Sequence, residues 1–368
     1  MPSPKSTRQA LARLHSIASL DTGGVQLIEP LLRELRQVVS FDFGGLLYPG
    51  DDGELSAYAE GPLRAVVTDS FDPRILRSEH QVLVRSSHDF AGAVRHEHGP
   101  KLLRELVAVA KAEFHRSDFY NVVARPGDAM EYMKLVLRTP HGKGVAAVFL
   151  FREAASPWFT ADDVAVLARL ENHLARALQN GEQDATESEV HSQGVLITTP
   201  QGRPLWISPE AEMLMPLAFG WRWRTGSELP SALLELLRRL NTPADKVDLA
   251  TMELPSMELR TAQGWFSLRA TRMAAATGLR QAVALHVTRR VARGQRLLSA
   301  LQALDLPQRQ HEMAWWLARG LSEPQIAQRM KISINTAVYH RRQLYNRLGV
   351  MGRGELMQAL MKPEPARP

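Results

Sequence analysis

Asn335, Val338, Tyr339, Arg342 and Asn346 recur at helical spacing, which sets amides, a phenol, a guanidinium and a branched apolar group on one side of a helix. Such a set can read the edges of stacked bases: amide and guanidinium groups hydrogen-bond to purine edges, and an apolar side chain covers a thymine methyl. Asn335, Val338, Tyr339 and Arg342 are the candidate base readers. Lys331, Ser333, Thr336, His340, Arg341 and Arg347 flank them and are the candidates for phosphate contacts. The plainer reading is an amphipathic helix with basic decoration, but a merely solvated helix seldom exposes Val338 and Tyr339 together.

The surrounding punctuation predicts how these residues are held. Gly320 follows the helical run Arg309 to Arg319, and glycine is the usual residue just past a helix end. Ser322 then stands three places before Gln325, a capping box with Pro324 in the first turn. Only Lys331 and Ile332 separate that helix from Ser333, a second N-cap, after which Ala337, the stem of Arg341, Leu344 and Leu348 trace one stripe. Two capped helices joined by so short a turn must cross steeply, as in a helix-turn-helix.

Leu306, Arg309, Glu312, Gly320, Ile326, Ala327, Ser333, Thr336, His340, Leu344, Arg347, Leu348, Gly349, Val350 and Arg353 fall at the register of one family: segment 304–362 resembles the LuxR/NarL type of helix-turn-helix. The resemblance implies a four-helix domain whose third helix enters the major groove and whose last helix, about Arg353 to Met361, often mediates dimerisation. Gln310, Ala337 and Val338 stand where the family usually has an acid, a valine and a lysine. Without that lysine one polar DNA contact is gone, so base preference does not carry over, and Tyr339 and Arg342 take the weight.

Between 304 and 362 nine Lys/Arg stand against four Asp/Glu, a net +5 of the chain's +6, so the basicity is concentrated where a nucleic-acid footprint is expected. The 368 residues, 45% hydrophobic and 23% charged, suit two or three globular domains. No apolar run approaches the roughly 18 to 20 residues that span a bilayer, and the N-terminus lacks the apolar stretch of a signal peptide, so a cytoplasmic protein without a membrane partner is expected. With no cysteine, disulfides, thiolate metal sites and thiol redox sensing are excluded.

Upstream, an apolar face from Leu27 to Val39 predicts a helix. A strand over Phe41–Tyr48 then enters a Pro49–Gly53 turn, followed later by strands over Lys134–Arg138 and Gly144–Phe151 and a helix over Asp162–Leu178 behind a Thr160/Asp163 cap. This order resembles a GAF-type sensory domain over 5–180. Gln179 to Glu189 reads as a linker or a helix extension. Two short strands about Gly202 and a helix from Pro209 to Met215 open a region, 190–290, that resembles a PAS domain, with closing strands at Met257–Thr261, Trp265–Thr271 and Arg280–Val287. A helical connector, 291–303, presents Leu297, Leu298 and Leu301 either to another chain or to its own domain. The expected class is α+β: two sensory sheet domains followed by an all-α four-helix LuxR-type domain at 304–362.

Domains of these resembled types bind small molecules between sheet and covering helices. Tyr58, Phe119 and Tyr120, with Asn121 beside them, are the ligand-pocket candidates of the first, and Trp206 and Trp265, with Trp221 and Trp223, those of the second; core packing is the competing role for each. His96, Glu97 and His98 lack a third ligand nearby and read as a solvated loop, so no metal site is expected. Gly142 and Lys143 lead to Gly144 rather than Ser or Thr, and neither a G-x-S-x-G elbow nor an H-E-x-x-H helix occurs, so no catalytic residues and no cofactor are expected. A strand–acidic-pair–helix opening is also missing, which argues against a phosphorelay receiver. The expected function is a one-component DNA-binding regulator, with double-stranded DNA, a small-molecule ligand and a second copy of the chain as partners, and RNA polymerase as a further partner if it activates. The alternatives are a partner-controlled or constitutive regulator whose upstream domains only scaffold the dimer and, more remotely, an enzyme with an incidental helical bundle.

Overall fold

Side chains alternate along β4 (Glu131–Arg138) and β5 (Gly144–Arg152), and that alternation divides the first half of the molecule into two cores. The computed structural model describes residues 14, 17, 24–83, 89–179, 188–223, 228–241, 255–274, 281–304 and 306–361. Met133, Leu135, Val148 and Leu150 face one side, where α1 (Ile28–Leu35) supplies Leu31, Leu32 and Leu35, and Tyr132, Phe149 and Phe151 face the other. The sheet is antiparallel, with β1 (Phe43–Pro49) and β2 (Leu55–Ala59) at one end and β3 (Lys101–Leu102) at the other, in the order β2-β1-β5-β4-β3. Its second face is covered by α2 (Leu63–Ser70), α3 (Pro73–Val82), α4 (Phe90–His96), α5 (Leu103–Leu106), α6 (Lys111–Arg116) and a π turn at Tyr120–Ala124. Then α7 (Ala161–Leu178), with its Thr160/Asp163 capping box in place, packs Leu167, Leu170 and Leu174 on the first face.

A second five-stranded antiparallel sheet repeats the same order: β6 (Ser188–Thr198), β7 (Pro204–Ile207), β8 (Ser256–Thr261), β9 (Gly264–Ala274) and β10 (Gln281–Ala292) run β7-β6-β10-β9-β8. α8 (Pro209–Phe219) and α9 (Ser231–Asn241) close its core around Leu214, Leu233, Leu237, Phe266 and Leu285. β10 leads directly into α10 (Arg293–Ala303), and four further helices follow: α11 (Gln308–Ala318), α12 (Glu323–Met330), α13 (Ile334–Leu348) and α14 (Arg353–Met361).

The two sheet units meet at the tip of the β1–β2 hairpin. Asp51 accepts from the Arg260 amide at 3.0 Å, Asp52 pairs with Arg222, and the Trp221 indole donates to the Leu55 carbonyl at 3.0 Å. Tyr48, a buried hydroxyl whose pKa burial pushes up to about 12, accepts from the Ala262 amide at 3.2 Å. Phe71 stacks on Trp221 with centroids 4.3 Å apart.

Two expectations need correction, and the connector leucines take one of the two roles left open for them, packing within their own chain. Leu297, Leu298 and Leu301 are buried within their own chain, in a core shared with α1 and the C-terminal helices, and Gln302 donates to the Pro30 carbonyl at 3.0 Å, so these leucines do not offer themselves to a second copy. Glu97 is not solvated: it is buried against Lys134 at 2.9 Å, because the end of α4 tucks its carboxylate under β4, while His96 and His98 stay exposed. The first predicted helix stops at Leu35, and Val38 and Val39 follow in a turn. Residues 180–187 of the expected linker, and Arg280, lie outside the described residues.

Candidate nucleic-acid interface

The local chemistry of the C-terminal helices fixes their crossing. Ser322 and Gln325 form the predicted capping box, with the serine amide donating to Gln325 Oε1 at 2.8 Å. α12 ends at Lys331, which adopts the left-handed conformation (φ 54°), so the chain reverses within Lys331 and Ile332. Ser333 then accepts from the Thr336 amide at 3.1 Å and starts α13. Replacing Ser333 by alanine removes this cap and is expected to lower stability by about 1 kcal/mol, read by thermal unfolding. Gly320 (φ 97°) holds a left-handed backbone that favours glycine, and the tip of the Arg353 side chain lies beside it.

Beneath this surface lies an apolar core. Met313, Ala314, Trp315, Ile326, Ala327, Ala337, Leu344, Leu356 and Leu360 are all buried. Arg309 binds Glu312 at 3.1 Å and points at the Met330 carbonyl, tying α11 to the end of α12. Arg329 lies over the Trp316 ring at 4.6 Å.

α13 carries Asn335, Tyr339, Arg342 and Asn346 on one exposed face, Tyr339 with 58% of its surface accessible. Fifteen residues make a rod of about 22 Å, long enough to lie along a major groove. Val338 is half-buried beside this face, as is His340, whose ring meets Tyr339 edge-on. Lys331, Ser333 and Arg347 are exposed around its rim. Arg341 stands apart from the other phosphate candidates: it pairs with Glu323 and lies over Tyr345, so its charge joins α13 to α12. Thr336 likewise holds its hydroxyl 2.8 Å from that of Ser333. Ile334, 53% exposed at the start of α13, joins the same surface and was not among the sequence candidates, because its type reads as core.

Of the upstream candidates, Tyr58 and Trp221 line one cleft of about 370 Å³ where the two sheet units meet, and the others separate. Phe119 lines a cavity of about 170 Å³ between the second face of the first sheet and α2 and α3, together with Leu63, Val66, Tyr132, Phe149 and Phe151. Tyr58 borders that cavity through its strand, but its register opposite Leu46 turns the ring to the α1 face, where burial raises its pKa to about 12. Tyr120 packs on His115 and Phe114 instead, and Asn121 donates to the His115 and Ser117 carbonyls. In the second unit Trp206 is 67% exposed, Trp265 lies under Arg260, Trp223 packs against the core and Trp221 forms the joint between units. These tryptophans therefore do not converge on one pocket. Sequence reasoning passed over Glu79, which also lines the cavity. Its signal was present: a carboxylate at helical spacing from Leu76 and Leu83, on the apolar side of α3. Among the described residues no cluster of three or more His, Asp or Glu could hold a metal ion.

Two capped helices joined by a two-residue turn, the second with an exposed polar face, define a helix-turn-helix DNA-binding module. Residues 305–360 match the family model described as bacterial regulatory proteins, luxR family, so this segment is a LuxR-type domain and marks the chain as a DNA-binding regulator rather than an enzyme. No curated protein matches the chain. Among solved structures, the chain is similar to the phage VqmA–DPO complex (16% identity over 46% of this chain and 82% of that one, TM-score 0.20). It is similar to the E. coli DhaR(N)–DhaL complex (9% identity, 78% and 90% covered, TM-score 0.25) and to the sensor region of a sensor histidine kinase (13%, 72% and 90%, TM-score 0.17). Among the described residues no helix is long and apolar enough to cross a membrane.

Lys331 gives a further expected outcome. Glycine at this left-handed position relieves the Cβ clash, so Lys331→Gly should gain up to about 1 kcal/mol in stability. If its ammonium contacts a phosphate, the same variant binds all DNA sequences more weakly and to the same degree. Thermal unfolding and a binding series on unrelated duplexes read the two effects separately.

Proposed function

We propose that this chain is a cytoplasmic one-component transcription regulator in which a small molecule bound by an upstream sensory unit shifts operator binding by a homodimer of C-terminal readers. Residues 5–180 act as the GAF-like unit, 190–290 as the PAS-like unit, 291–303 as the connector and 304–362 as the reader. Asn335, Val338, Tyr339 and Arg342 read bases, and Lys331, Ser333, His340 and Arg347 hold phosphates. Thr336 and Arg341, engaged within the domain, serve the geometry of the reading helix.

The observation that carries the reading is the continuity of the cavity with the reader. Phe71 lines the cavity and stacks on Trp221, and the sheet unit that holds Trp221 ends in β10, which passes directly into α10. α10 is buried against both α1 and the reader helices. A change in how Phe71 sits is therefore one aromatic contact away from the unit that feeds the DNA-binding helices. Dimerisation doubles the contacts to paired half-sites, so modest control of it gives large control of occupancy.

The test is the thermal stability of the full chain against a panel of cellular metabolites, followed by operator binding with and without each hit. A ligand at about a hundred times its Kd adds roughly 2.7 kcal/mol to the unit that binds it. A stabilising metabolite that also shifts operator affinity supports the reading, and stabilisation with no effect on operator affinity refutes the gating. DNA affinity should fall with rising salt as phosphate contacts are screened. Control by a protein partner is the second reading, favoured by one observation: edge strand β7 leaves Leu205 and Trp206 exposed, and α8 leaves Met213 exposed.

A further inference from the structure

We propose that the cavity between the first sheet and helices α2 and α3 is a binding site for a small primary amine bearing one aromatic ring, its ammonium group held by the Glu79 carboxylate. The inference rests on the ligand-gated reading above and names the ligand's chemical class.

The volume sets the size. About 170 Å³ is close to that of cavities that take a single benzene ring, so a bicyclic or larger molecule does not fit without opening the walls. The walls set the body of the ligand: Leu63, Val66, Phe119, Tyr132, Phe149 and Phe151 are apolar or aromatic, and Phe149 and Phe151 stack with centroids 6.2 Å apart. Such a surface takes a flat hydrocarbon ring.

Glu79 sets the charge. It is half-buried and, among the described residues, its carboxylate makes no hydrogen bond or ion pair. Lys134, the cation whose field reaches it, is already bound to Glu97 at 2.9 Å, and Ser70 at the cavity edge gives its hydroxyl to the Val67 carbonyl at 2.6 Å. Desolvation raises the Glu79 pKa to about 7, in keeping with a carboxyl that has no ion-pair partner among the described residues. A carboxylate in apolar surroundings is costly until a cation meets it, and an ammonium in this cavity would also face aromatic rings that attract positive charge. An anionic ligand would meet only repulsion, and a purely apolar one would leave the carboxylate as it is.

Calorimetric titration of the full chain with three probes of matched shape tests the assignment: phenethylamine, phenethyl alcohol and phenylacetate. Phenethylamine should bind most tightly, the alcohol more weakly, and phenylacetate not measurably. Glu79→Gln should cut phenethylamine affinity about tenfold to a hundredfold while changing that of the alcohol little, because only the charged contact is lost and the cavity persists. Val66→Phe, which fills the cavity and leaves Glu79 in place, should weaken both the amine and the alcohol. Unchanged amine binding in either variant, or phenylacetate binding as tightly as the amine, overturns the site. Amine binding that leaves operator affinity unchanged keeps the site and removes the gating. Operator control by some other metabolite, with no phenethylamine binding, removes the site and keeps the regulator.

Discussion

Arg342→Ala is expected to cost about 1 to 3 kcal/mol of operator affinity and to relax preference at one base pair, while leaving the fold intact. The side chain stands on the exposed face of α13, one helical step from Tyr339 and Asn346, and forms no ion pair among the described residues. A guanidinium so placed can donate two parallel hydrogen bonds to the O6 and N7 atoms of a guanine, an arrangement that no other base pair matches. Truncation removes both bonds and exposes no buried group, so the loss falls on recognition and not on stability. The measurement is competition binding across a library of operators varied one position at a time. Equal weakening on every sequence would reassign Arg342 to a phosphate. Arg341→Ala should behave in the opposite way: its guanidinium pairs with Glu323, so its loss loosens the α12–α13 crossing and appears first in unfolding.

Much of this was legible in the sequence, for physical reasons that differ between regions. The reader was legible because caps are local: Ser322, Gln325 and Ser333 announce their hydrogen bonds within four residues, and Gly320 marks its own backbone. Strand β9 was legible because its burial alternates, and β4 and β5 because they are short apolar runs of strand-forming residues, buried on both faces. The helices over residues 63–116 were not, since they are short, and their apolar residues face a sheet built from strands far along the chain. Arg341 shows the limit on a single side chain. Its place on the stripe was visible, but its partner lies on another helix, and only the crossing decides whether its charge faces DNA or Glu323. The ligand candidates were weakest, because an aromatic residue looks the same in sequence whether it lines a cavity, as Phe119 does, or is largely exposed, as Trp206 is. Glu79 was passed over because its neighbours along the chain, Arg77, Ser78, His80 and Gln81, are polar, and only its helical spacing from Leu76 and Leu83 set it apart.

Glu79→Gln should stabilise the ligand-free chain above pH 7 by roughly 1 to 3 kcal/mol, allowing for the partial exposure of the carboxyl, and should change little near pH 4.5. The sign follows from linkage. Burial raises the folded pKa to about 7 from an ordinary 4.5, so between those values the folded state holds a proton that the unfolded state has released. Stability from this group is fully present below the unfolded pKa and is lost as pH rises through the folded one. The charged groups about it do not reverse the trend: Lys134 lowers the Glu79 pKa but is committed to Glu97, and the buried Tyr132 stays neutral across the range because its own pKa is pushed well up. Glutamine keeps the shape and removes the titration, so the wild-type and variant unfolding curves should coincide near pH 4.5 and separate by pH 8. A variant less stable than wild type at pH 8 would mean that Glu79 is already satisfied in the empty protein. A more stable variant with impaired amine binding would show a residue retained at a cost to the fold, and that cost is what a cationic ligand relieves when it binds.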